Sequence, residues 1–214
     1  MSQNLHEYRK SYEKGELTLE SVLENPFQQF EKWFQIAKAS ENVDEVNAMT
    51  LSTIGVDGFP RGRVVLLKEF SEEGFVLYTN YGSEKGESIA KNKQVCISFF
   101  WPALEQQIII KGETQKTSEE QSVAYFSKRP RKSQLGALVS DQSEPIESRE
   151  VLEAKLHTLE KQFEGQDIPK PKNWGGYLIT PVEFEFWQGR KSRLHDRIQY
   201  TKEGENWTLQ RLQP

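Results

Sequence analysis

The hydrophobic residues of this chain change their spacing near residue 48. Before that point, the segment from Pro26 to about Ala39 carries apolar side chains at helical spacing, and Asn25 can cap its free N–H groups. The pattern therefore predicts a helix in this segment. Its apolar face is formed by Phe27, Phe30 and Phe34, with Trp33 and Ile36 on a flanking stripe.

After residue 48 the chain consists of short apolar runs that predict strands, and Asp57-Gly58 between the first two runs is a typical hairpin turn. The predicted strands are AMTLSTIGV, RVVLLKEF, FVLYTNY, QVCISFFW, QQIIIKGETQKT, VEFEFWQG, RIQYTK and WTLQRL. Three further helices are predicted between the strands, at 83–92, from Ser118 to before Pro130, and at 148–164.

The strands fall into two blocks with helices between them, which predicts one α+β domain over residues 1–214. Its sheet would be mainly antiparallel and barrel-like, and would include the C-terminal strands at about 181–214. The alternative, a doubly wound parallel sheet, needs regular strand–helix alternation, and the consecutive hairpins at 48–81 disfavour it. The polar segment 1–24 is expected to be a mobile arm or a short helix.

Composition limits the classes of partner. The chain is 36% hydrophobic and 28% charged, as in a globular protein, and no apolar run is long enough to cross a membrane. Its net charge of -4 argues against a nucleic-acid binder. The N-terminus has no signal-peptide core, and the one cysteine, Cys96, excludes an internal disulfide, so a cytoplasmic location is expected.

Several common site motifs do not occur in the sequence. There is no G-x-G-x-x-G, no P-loop and no G-x-S-x-G, and the three histidines lack zinc spacing, so no metal is predicted. Basic residues instead form local clusters, which suit small anionic ligands, although each cluster alone could be solvated surface. The clusters are Arg61, Arg63 and Lys68; Lys128, Arg129, Arg131 and Lys132; and Arg190, Lys191, Arg193 and Arg197.

Arg63 and Lys68 stand at the two ends of the apolar run RVVLLK. Arginine binds phosphate through two N–H groups, and lysine binds it as a point charge. Residues five apart on a regular strand face opposite sides, so either a bulge intervenes or the two side chains contact different ligand groups. An edge strand protected by its charges is the alternative that needs no ligand.

Two helix ends are further candidate anion sites. Ser83 and Lys85 open a predicted helix whose N-terminus favours anions, although ordinary capping explains them equally well. Tyr125 and Arg129 share one face of the next helix, and Ser133 could return to the same place. These three side chains could hold a second phosphate, and a solvated helix end is the alternative.

The most informative cluster is Arg193-Leu-His-Asp-Arg197. If this segment is extended, Arg193, His195 and Arg197 point to one side of it. Three potential cations on one face repel one another unless an anion or an electron-rich ring lies there. A ligand is therefore expected beside them.

Taken together and in this order, these motifs resemble the pyridoxine 5'-phosphate oxidase family. They span nearly the whole chain, from Tyr8-Arg9 to the last four residues, and their combination is specific although each fragment alone is not. The matching motifs are RVVLLK, YTN-x-GS, Leu104-Glu105-Gln106-Gln107, YF-x-x-RPR-x-SQ-x-GA, WGG, EFWQG and RLHDR.

The resemblance implies a split antiparallel β-barrel with peripheral helices that binds FMN and works as a homodimer, with two FMN sites at the interface. Matching positions imply FMN contacts from Arg63, Val64, Val65, Leu66, Leu67, Lys68, Tyr78, Thr79, Lys85, Gln107, Gln142, Ser143, Trp187 and Arg197. They imply substrate contacts from Arg9, Tyr12, Lys68, Tyr125, Arg129, Ser133, Arg193, Leu194 and His195, with Arg193 and His195 as the catalytic pair against the pyridine ring.

Two residues depart from the family pattern. Glu84 stands where many relatives carry a basic residue beside the FMN phosphate, so it is left out of the expected site. Gly86 should weaken its helix by about 1 kcal/mol relative to alanine.

The resemblance implies oxidation of pyridoxine 5'-phosphate, pyridoxamine 5'-phosphate or both to pyridoxal 5'-phosphate, in vitamin B6 biosynthesis and salvage. Oxygen would be the electron acceptor and hydrogen peroxide the second product. One alternative is a split-barrel flavin reductase that uses a nicotinamide or deazaflavin partner. The other is a protein that binds FMN or pyridoxal phosphate without turnover.

Overall fold

The structure is a computed structural model and describes residues 3–214. Its helices are Pro26–Ala39 (α1), Glu84–Lys91 (α2), Glu119–Lys128 (α3), Arg131–Val139 (α4) and Arg149–Gln162 (α5). Its strands are Ala48–Ile54 (β1), Pro60–Leu66 (β2), Glu69–Ser71 (β3), Gly74–Asn80 (β4), Gln94–Trp101 (β5), Gln106–Lys116 (β6), Trp174–Gln188 (β7), Asp196–Glu203 (β8) and Asn206–Leu212 (β9).

Hydrogen bonding joins the strands in the order β2-β1-β5-β6-β7-β4-β3, with β8 paired to β7 and β9 paired to β8. The pairs β3–β4, β4–β7, β7–β8 and β8–β9 are all antiparallel. Tyr78 is opposite Gly176, and Trp187 is opposite Arg197. This arrangement excludes the doubly wound parallel sheet.

The chain divides into two compact units. The first unit comprises the chain up to Thr50 together with Cys96–Lys111 and Pro181–Pro214, and the second comprises Leu51–Val95 and Gly112–Thr180. The expectation of one domain over the whole chain stays a prediction.

Helix α1 packs its aromatic face into the first unit. Asn25 caps the helix by accepting hydrogen bonds from two backbone N–H groups of its first turn, as its side chain and position predict. Phe30 and Trp33 are buried; the Phe30 ring lies 5.3 Å from Phe99, and Trp33 lies 5.3 Å from Phe186. Burial of these rings holds the predicted helix in place.

Helices α3 to α5 belong to the second unit and surround the start of β7. Phe126, Leu135 and Trp174 are buried in one cluster together with Ile168. Leu156 of α5 packs against the cluster from the side. This cluster fixes α3 and α4 on either side of their connection, where the candidate site residues Tyr125, Arg129 and Ser133 lie.

The predicted strand RVVLLKEF is wrong as one element. Strand β2 ends at Leu66, and the backbone N–H of Lys68 donates to Val76 of β4 across 2.9 Å. Strand β2 pairs with β1 at one end of the strand order, whereas β3 pairs with β4 at the other end. The chain therefore leaves one pairing at Leu67 and begins the other.

The strand prediction also missed the first half of β7, which begins at Trp174 rather than near Val182. Gly175, Gly176 and Pro181 weaken the sequence signal for a strand there. Close packing requires a glycine at position 175, because an added Cβ would lie 2.9 Å from the Ser122 hydroxyl. Close packing, not strand propensity, selects the residue.

Segment 3–24 contains no helix of the described structure. Part of it is nevertheless tied down, because the Glu13 and Lys14 N–H groups donate to the buried carboxylate of Glu105 at 2.7 and 2.9 Å. The short-helix alternative is therefore wrong. Mobility of the arm stays a prediction.

Candidate functional site

A cavity of about 760 Å³ lies in the second unit. It is bordered by the end of β2, by β4, by the start of α2 and by the connection from α3 to α4. The structure brings together on its wall the predicted site residues Val64, Val65, Leu66, Lys68, Tyr78, Thr79, Lys85, Tyr125, Arg129, Ser133 and Gln142.

Lys85 provides a cation at the start of α2. Its ammonium group donates to the Ser83 hydroxyl at 3.1 Å and to the Gln142 side-chain oxygen at 2.9 Å. Burial, and then the nearby positive charge of Arg63, lowers the pKa of Lys85. An anion beside this ammonium would offset both effects.

Arg63 lies near Lys85 but uses part of its guanidinium to hold β1. NH1 donates to the Leu51 carbonyl at 3.1 Å and to the Thr53 hydroxyl at 2.7 Å. NH2 is buried and has no hydrogen-bond partner among the described residues. Burial lowers the pKa of this arginine. The free N–H groups are suited to an acceptor that the protein itself does not supply.

Gln142 and Ser143 follow α4, and Gln142 lines the cavity next to Lys85. The Thr79 hydroxyl donates to Gln142 at 3.3 Å, and the Ser143 hydroxyl accepts from the Glu84 backbone N–H at 3.2 Å. Ser143 has a φ of 81°, a left-handed conformation that costs a non-glycine residue free energy. The hydrogen bond to α2 helps to hold it there.

Arg129 provides a second cation on the cavity wall. It is the C-terminal cap of α3, and its guanidinium carbon lies 4.7 Å from the centre of the Trp174 ring. NH1 is buried without a partner in the described part of the chain, and burial lowers the pKa of the group. A guanidinium held by an aromatic face and lacking an acceptor is ready to bind an anion.

Tyrosine rings extend the wall next to Arg129. Tyr125 stacks on Tyr78 with a centroid distance of 3.9 Å and an interplanar angle of 12°. The Tyr78 hydroxyl donates to Glu69 at 3.0 Å, and burial raises the pKa of this tyrosine. Both phenols therefore remain neutral near pH 7 and offer flat apolar surface and hydroxyl groups.

The structure resolves the two alternatives for Arg63 and Lys68. No bulge brings them to one face, because β2 ends between them and Lys68 lies beyond the break. Lys68 lines the cavity, whereas Arg63 is anchored to β1. Which ligand group each residue binds stays a prediction, and so does a role for Leu67, which is buried between the two strands.

The Arg193 cluster lies in the first unit, and the extended conformation considered for the whole segment does not occur, because the strand begins only at Asp196. Residues Lys191–Arg193 form a 3-10 turn in which Ser192 and Arg193 have φ values of 55° and 62°. The Leu194 N–H closes the turn on Lys191 at 3.1 Å. Local hydrogen bonds within the turn replace the strand pairing that an extended chain would need.

The three cations of this cluster are not equivalent. Arg197 forms a two-point ion pair with Glu185, at 2.8 and 3.0 Å, so its charge is already compensated. His195 accepts a hydrogen bond at Nδ1 from the Arg190 backbone N–H at 3.1 Å. Burial, and then Arg193, lowers the pKa of His195, so its imidazole is neutral at pH 7. Of the two arginines, Arg193 is the one without an ion pair in the described structure.

The N-terminal arm contacts this cluster through one tyrosine. The Tyr12 ring lies 5.7 Å from both the Trp187 ring and the His195 ring, and Trp187 lies 4.7 Å from His195. Three predicted site residues thus form one aromatic group in the first unit. The remaining predicted residues of this unit do not join it: Arg9 is exposed, Leu194 is exposed, and Gln107 is half-buried in β6.

The sequence analysis missed Trp174 as a residue of the site. It was noted only as part of the WGG motif, yet it lines the cavity and lies under Arg129. A tryptophan at the start of a strand gives no local signal of such a contact. Only its position opposite Asn80 in β4 places it there.

Residues 3–214 were compared with the requirements of a metal site and of a membrane-spanning helix. No group of three or more His, Cys, Asp or Glu side chains in this range could hold a metal ion. No helix in the same range is both long and apolar enough to cross a membrane.

The fold and the cavity define a protein of a known class. The family described as "Pyridoxamine 5'-phosphate oxidase" matches residues 36–163, and "Pyridoxine 5'-phosphate oxidase C-terminal dimerisation region" matches residues 174–214. The chain belongs to the pyridoxamine 5'-phosphate oxidase family. The predicted family resemblance is therefore confirmed.

Curated relatives match over nearly the full length. A "Pyridoxine/pyridoxamine 5'-phosphate oxidase" of Flavobacterium johnsoniae is 58% identical over 98% of both chains. The protein of the same name from Christiangramia forsetii is 55% identical over 100% of both chains. The prediction that the chain is an enzyme, an oxidase of this family, is confirmed by these relatives.

Solved structures agree with the fold. PhzG from Burkholderia lata 383, in complex with tetrahydrophenazine-1-carboxylic acid, superposes with a TM-score of 0.85 and 27% identity over 91% of this chain and 95% of that chain. A pyridoxamine 5'-phosphate oxidase-related, FMN binding protein from Nostoc punctiforme superposes with a TM-score of 0.69 and 16% identity. The match covers 89% of this chain and 98% of that chain. The predicted fold class, α+β with a mainly antiparallel split barrel, is confirmed.

Proposed function

We propose that this enzyme oxidises pyridoxine 5'-phosphate and pyridoxamine 5'-phosphate to pyridoxal 5'-phosphate with the help of FMN. The observation that carries the proposal is the pair of partly unsatisfied guanidinium groups in the second unit. Arg63 beside Lys85 and Arg129 on Trp174 each keep one buried nitrogen that has no hydrogen-bond partner among residues 3–214. Two phosphorylated ligands would supply the two missing acceptors.

The residues present fit FMN. Arg63, Lys85 and the Ser83 end of α2 would hold the phosphate, because they combine two cations with the N-terminus of a helix. Thr79, Gln142 and Ser143 would bind polar atoms of the ribityl chain or the ring. Val64, Val65, Leu66 and Leu67 would contribute backbone and apolar contacts, and Gln107, Trp187 and Arg197 would complete the site. Bound FMN would supply the two-electron acceptor that no side chain can provide.

The substrate phosphate would lie on Arg129, Tyr125, Ser133 and Lys68. Arg129 would bind it through two N–H groups, and the neutral Tyr125 phenol and the Ser133 hydroxyl would donate further hydrogen bonds. Trp174 keeps the guanidinium in place before the substrate arrives, so less conformational entropy is lost on binding.

Arg193, Leu194 and His195 would contact the pyridine ring, with Arg193 and His195 orienting the carbon that is oxidised. His195 is neutral and accepts from a backbone N–H at Nδ1, so Nε2 carries the proton and can donate it to a ring substituent. Arg193 supplies a positive charge that has no carboxylate partner in the part of the chain that the structure describes. Arg9 and Tyr12 of the arm would cover the substrate.

Oxygen is the proposed final electron acceptor and hydrogen peroxide the second product. The alcohol would give the aldehyde directly, whereas the amine would also consume water and release ammonia. This places the enzyme in the biosynthesis and salvage of vitamin B6. The match to a dimerisation region supports a homodimer, and two FMN sites at its interface are part of the proposal.

The experiment uses full-length protein purified with FMN. Pyridoxine 5'-phosphate or pyridoxamine 5'-phosphate is added under air, and pyridoxal 5'-phosphate, oxygen and peroxide are followed together. Equal formation of aldehyde and peroxide is expected. Flavin reduction by reduced nicotinamide or deazaflavin, without reaction of the vitamin phosphates, would instead identify a reductase. Tight binding of FMN or pyridoxal phosphate without turnover would identify a binding protein.

A further inference from the structure

Glu84 and Arg61 form an ion pair at the start of α2. Glu84 is the first residue of the helix and is followed directly by Lys85 of the cavity wall. The Glu84 side chain is 34% exposed and that of Arg61 is 63% exposed, so the pair lies at the outer edge of this wall. Neither residue is among the predicted ligand contacts.

The pair acts on the two cations of the proposed phosphate site. Burial lowers the pKa of both Arg63 and Lys85, and the Glu84 carboxylate opposes this decrease in each case. Arg61 adds to the decrease at Arg63. Glu84 and Arg61 therefore act in opposite directions on the same small group of charges.

Because Glu84 and Arg61 carry opposite charges, they also have opposite effects on the binding of an anion at this site. A phosphate beside Lys85 would be repelled by the adjacent Glu84 carboxylate and attracted by the Arg61 guanidinium. The ion pair brings these two charges together, so their fields at the phosphate largely cancel. An acidic residue can then lie beside an anion site without preventing the anion from binding.

We propose that Arg61 is the counter-ion that makes Glu84 compatible with the cofactor phosphate, so that the ion pair leaves the affinity of the site nearly unchanged although either charge alone would shift it. The inference rests on the proposed function, because it assumes that FMN binds beside Lys85. It adds two residues of this chain that tune the affinity without touching the ligand.

The test compares FMN with riboflavin, which lacks the phosphate. Both flavins are titrated into the full-length protein freed of flavin, and their quenched fluorescence gives Kd. The variants are Arg61→Gln, Glu84→Gln and the double variant. Glu87→Gln is the matched control, because Glu87 is an exposed carboxylate in the same helical turn. Circular dichroism and thermal unfolding confirm that each variant is folded.

Arg61→Gln is expected to weaken FMN binding and Glu84→Gln to strengthen it, each by about three- to tenfold. The double variant should return to within about twofold of the wild type, since the two charge effects cancel. Riboflavin binding should change in none of them, and Glu87→Gln should behave as the wild type.

The possible failures are distinguishable. If the wild-type protein binds FMN no more tightly than riboflavin, the proposed phosphate site is wrong, and the proposed function fails with it. If the wild-type protein prefers FMN but the Kd of Glu84→Gln for FMN is unchanged, only the inference about the ion pair is overturned. A double variant as weak as Arg61→Gln would also overturn it, because Arg61 would then hold the phosphate itself.

Discussion

The guanidinium carbon of Arg129 lies 4.7 Å from the centre of the Trp174 ring, and NH1 of the same group is buried without a hydrogen-bond partner among the described residues. The two residues come from different elements, the end of α3 and the start of β7. Trp174 is 5% exposed, so its ring is fixed by the core beneath it. The aromatic face therefore holds a cation whose remaining N–H groups can bind a ligand.

Replacing Trp174 should weaken substrate binding more than it slows the reaction. Trp174→Phe keeps an aromatic ring but loses the stronger cation–π contact of tryptophan, so KM for pyridoxine 5'-phosphate should rise about three- to tenfold. Steady-state kinetics with saturating FMN measures this change. Trp207→Phe in the first unit is the control, and an equal effect of both variants on KM would contradict the role of Trp174.

The two proposed ligand sites should respond differently to truncation. Arg63→Ala removes hydrogen bonds from a charged donor and should weaken FMN binding about 10- to 100-fold, with turnover at saturating FMN much less affected. Arg193→Ala should lower kcat about 100-fold while FMN retention stays nearly unchanged. Flavin content after gel filtration and oxygen uptake measure the two effects. Unimpaired catalysis in Arg193→Ala would show that its proposed role is wrong.

His195 should make the stability of the fold depend on pH. Burial, and then Arg193, lowers its pKa in the folded protein below the ordinary value of 6.5. The unfolded chain therefore binds this proton more readily, so the contribution of His195 is fully present above pH 6.5 and is lost as the pH falls. Tm should decrease between about pH 7.5 and pH 5.

The Tm of the His195→Asn variant should decrease less than that of the wild type over the same pH range, because the variant has no imidazole at this position to protonate. His157→Asn is the control, since His157 is exposed on α5. Differential scanning calorimetry at several pH values makes the comparison. The same pH dependence in wild type and His195→Asn would refute the assignment.

Gly86 should not be replaceable by alanine, although alanine favours helices by about 1 kcal/mol. A Cβ at this position would lie 2.6 Å from the Tyr81 carbonyl carbon and would overlap its oxygen. Gly86→Ala is therefore expected to lower the free energy of unfolding by about 2 kcal/mol, as for an overpacked core. Gly136→Ala in α4 is the matched control, because no atom of the described residues that could clash lies within 4 Å of its added Cβ. Urea unfolding should show no loss in the control, and equal stabilities would contradict the packing argument.

Glycine 86 also shows why some sequence predictions were incomplete. From helix propensity alone it is a weakness of α2, and the structure shows that close approach of the Tyr81 backbone requires it. Glu84 is a similar case. Its negative charge predicts that it makes no direct phosphate contact, but its ion-pair partner Arg61 is 23 residues away in the sequence and carries no local signal.

Helix caps and short motifs were the most predictable features. Asn25, Ser83 and Ser118 cap their helices through their own side chains, as predicted from residues within a few positions of each. The order of motifs along the chain was sufficient to identify the family. The strand from Arg63 and the turn at Arg193 were predicted less well, because pairing partners and local hydrogen bonds decide whether such a segment is extended.

The amino-acid sequence by itself determined the family, the antiparallel fold class and the helix starts, because these depend on residue types at short and characteristic spacings. The tertiary structure decided that β2 ends before Lys68, that Arg129 rests on Trp174, and that Arg61 pairs with Glu84. These contacts join residues that are distant in the chain. Strand pairing and core packing bring them together, and neither is encoded in the local pattern of the residues that meet.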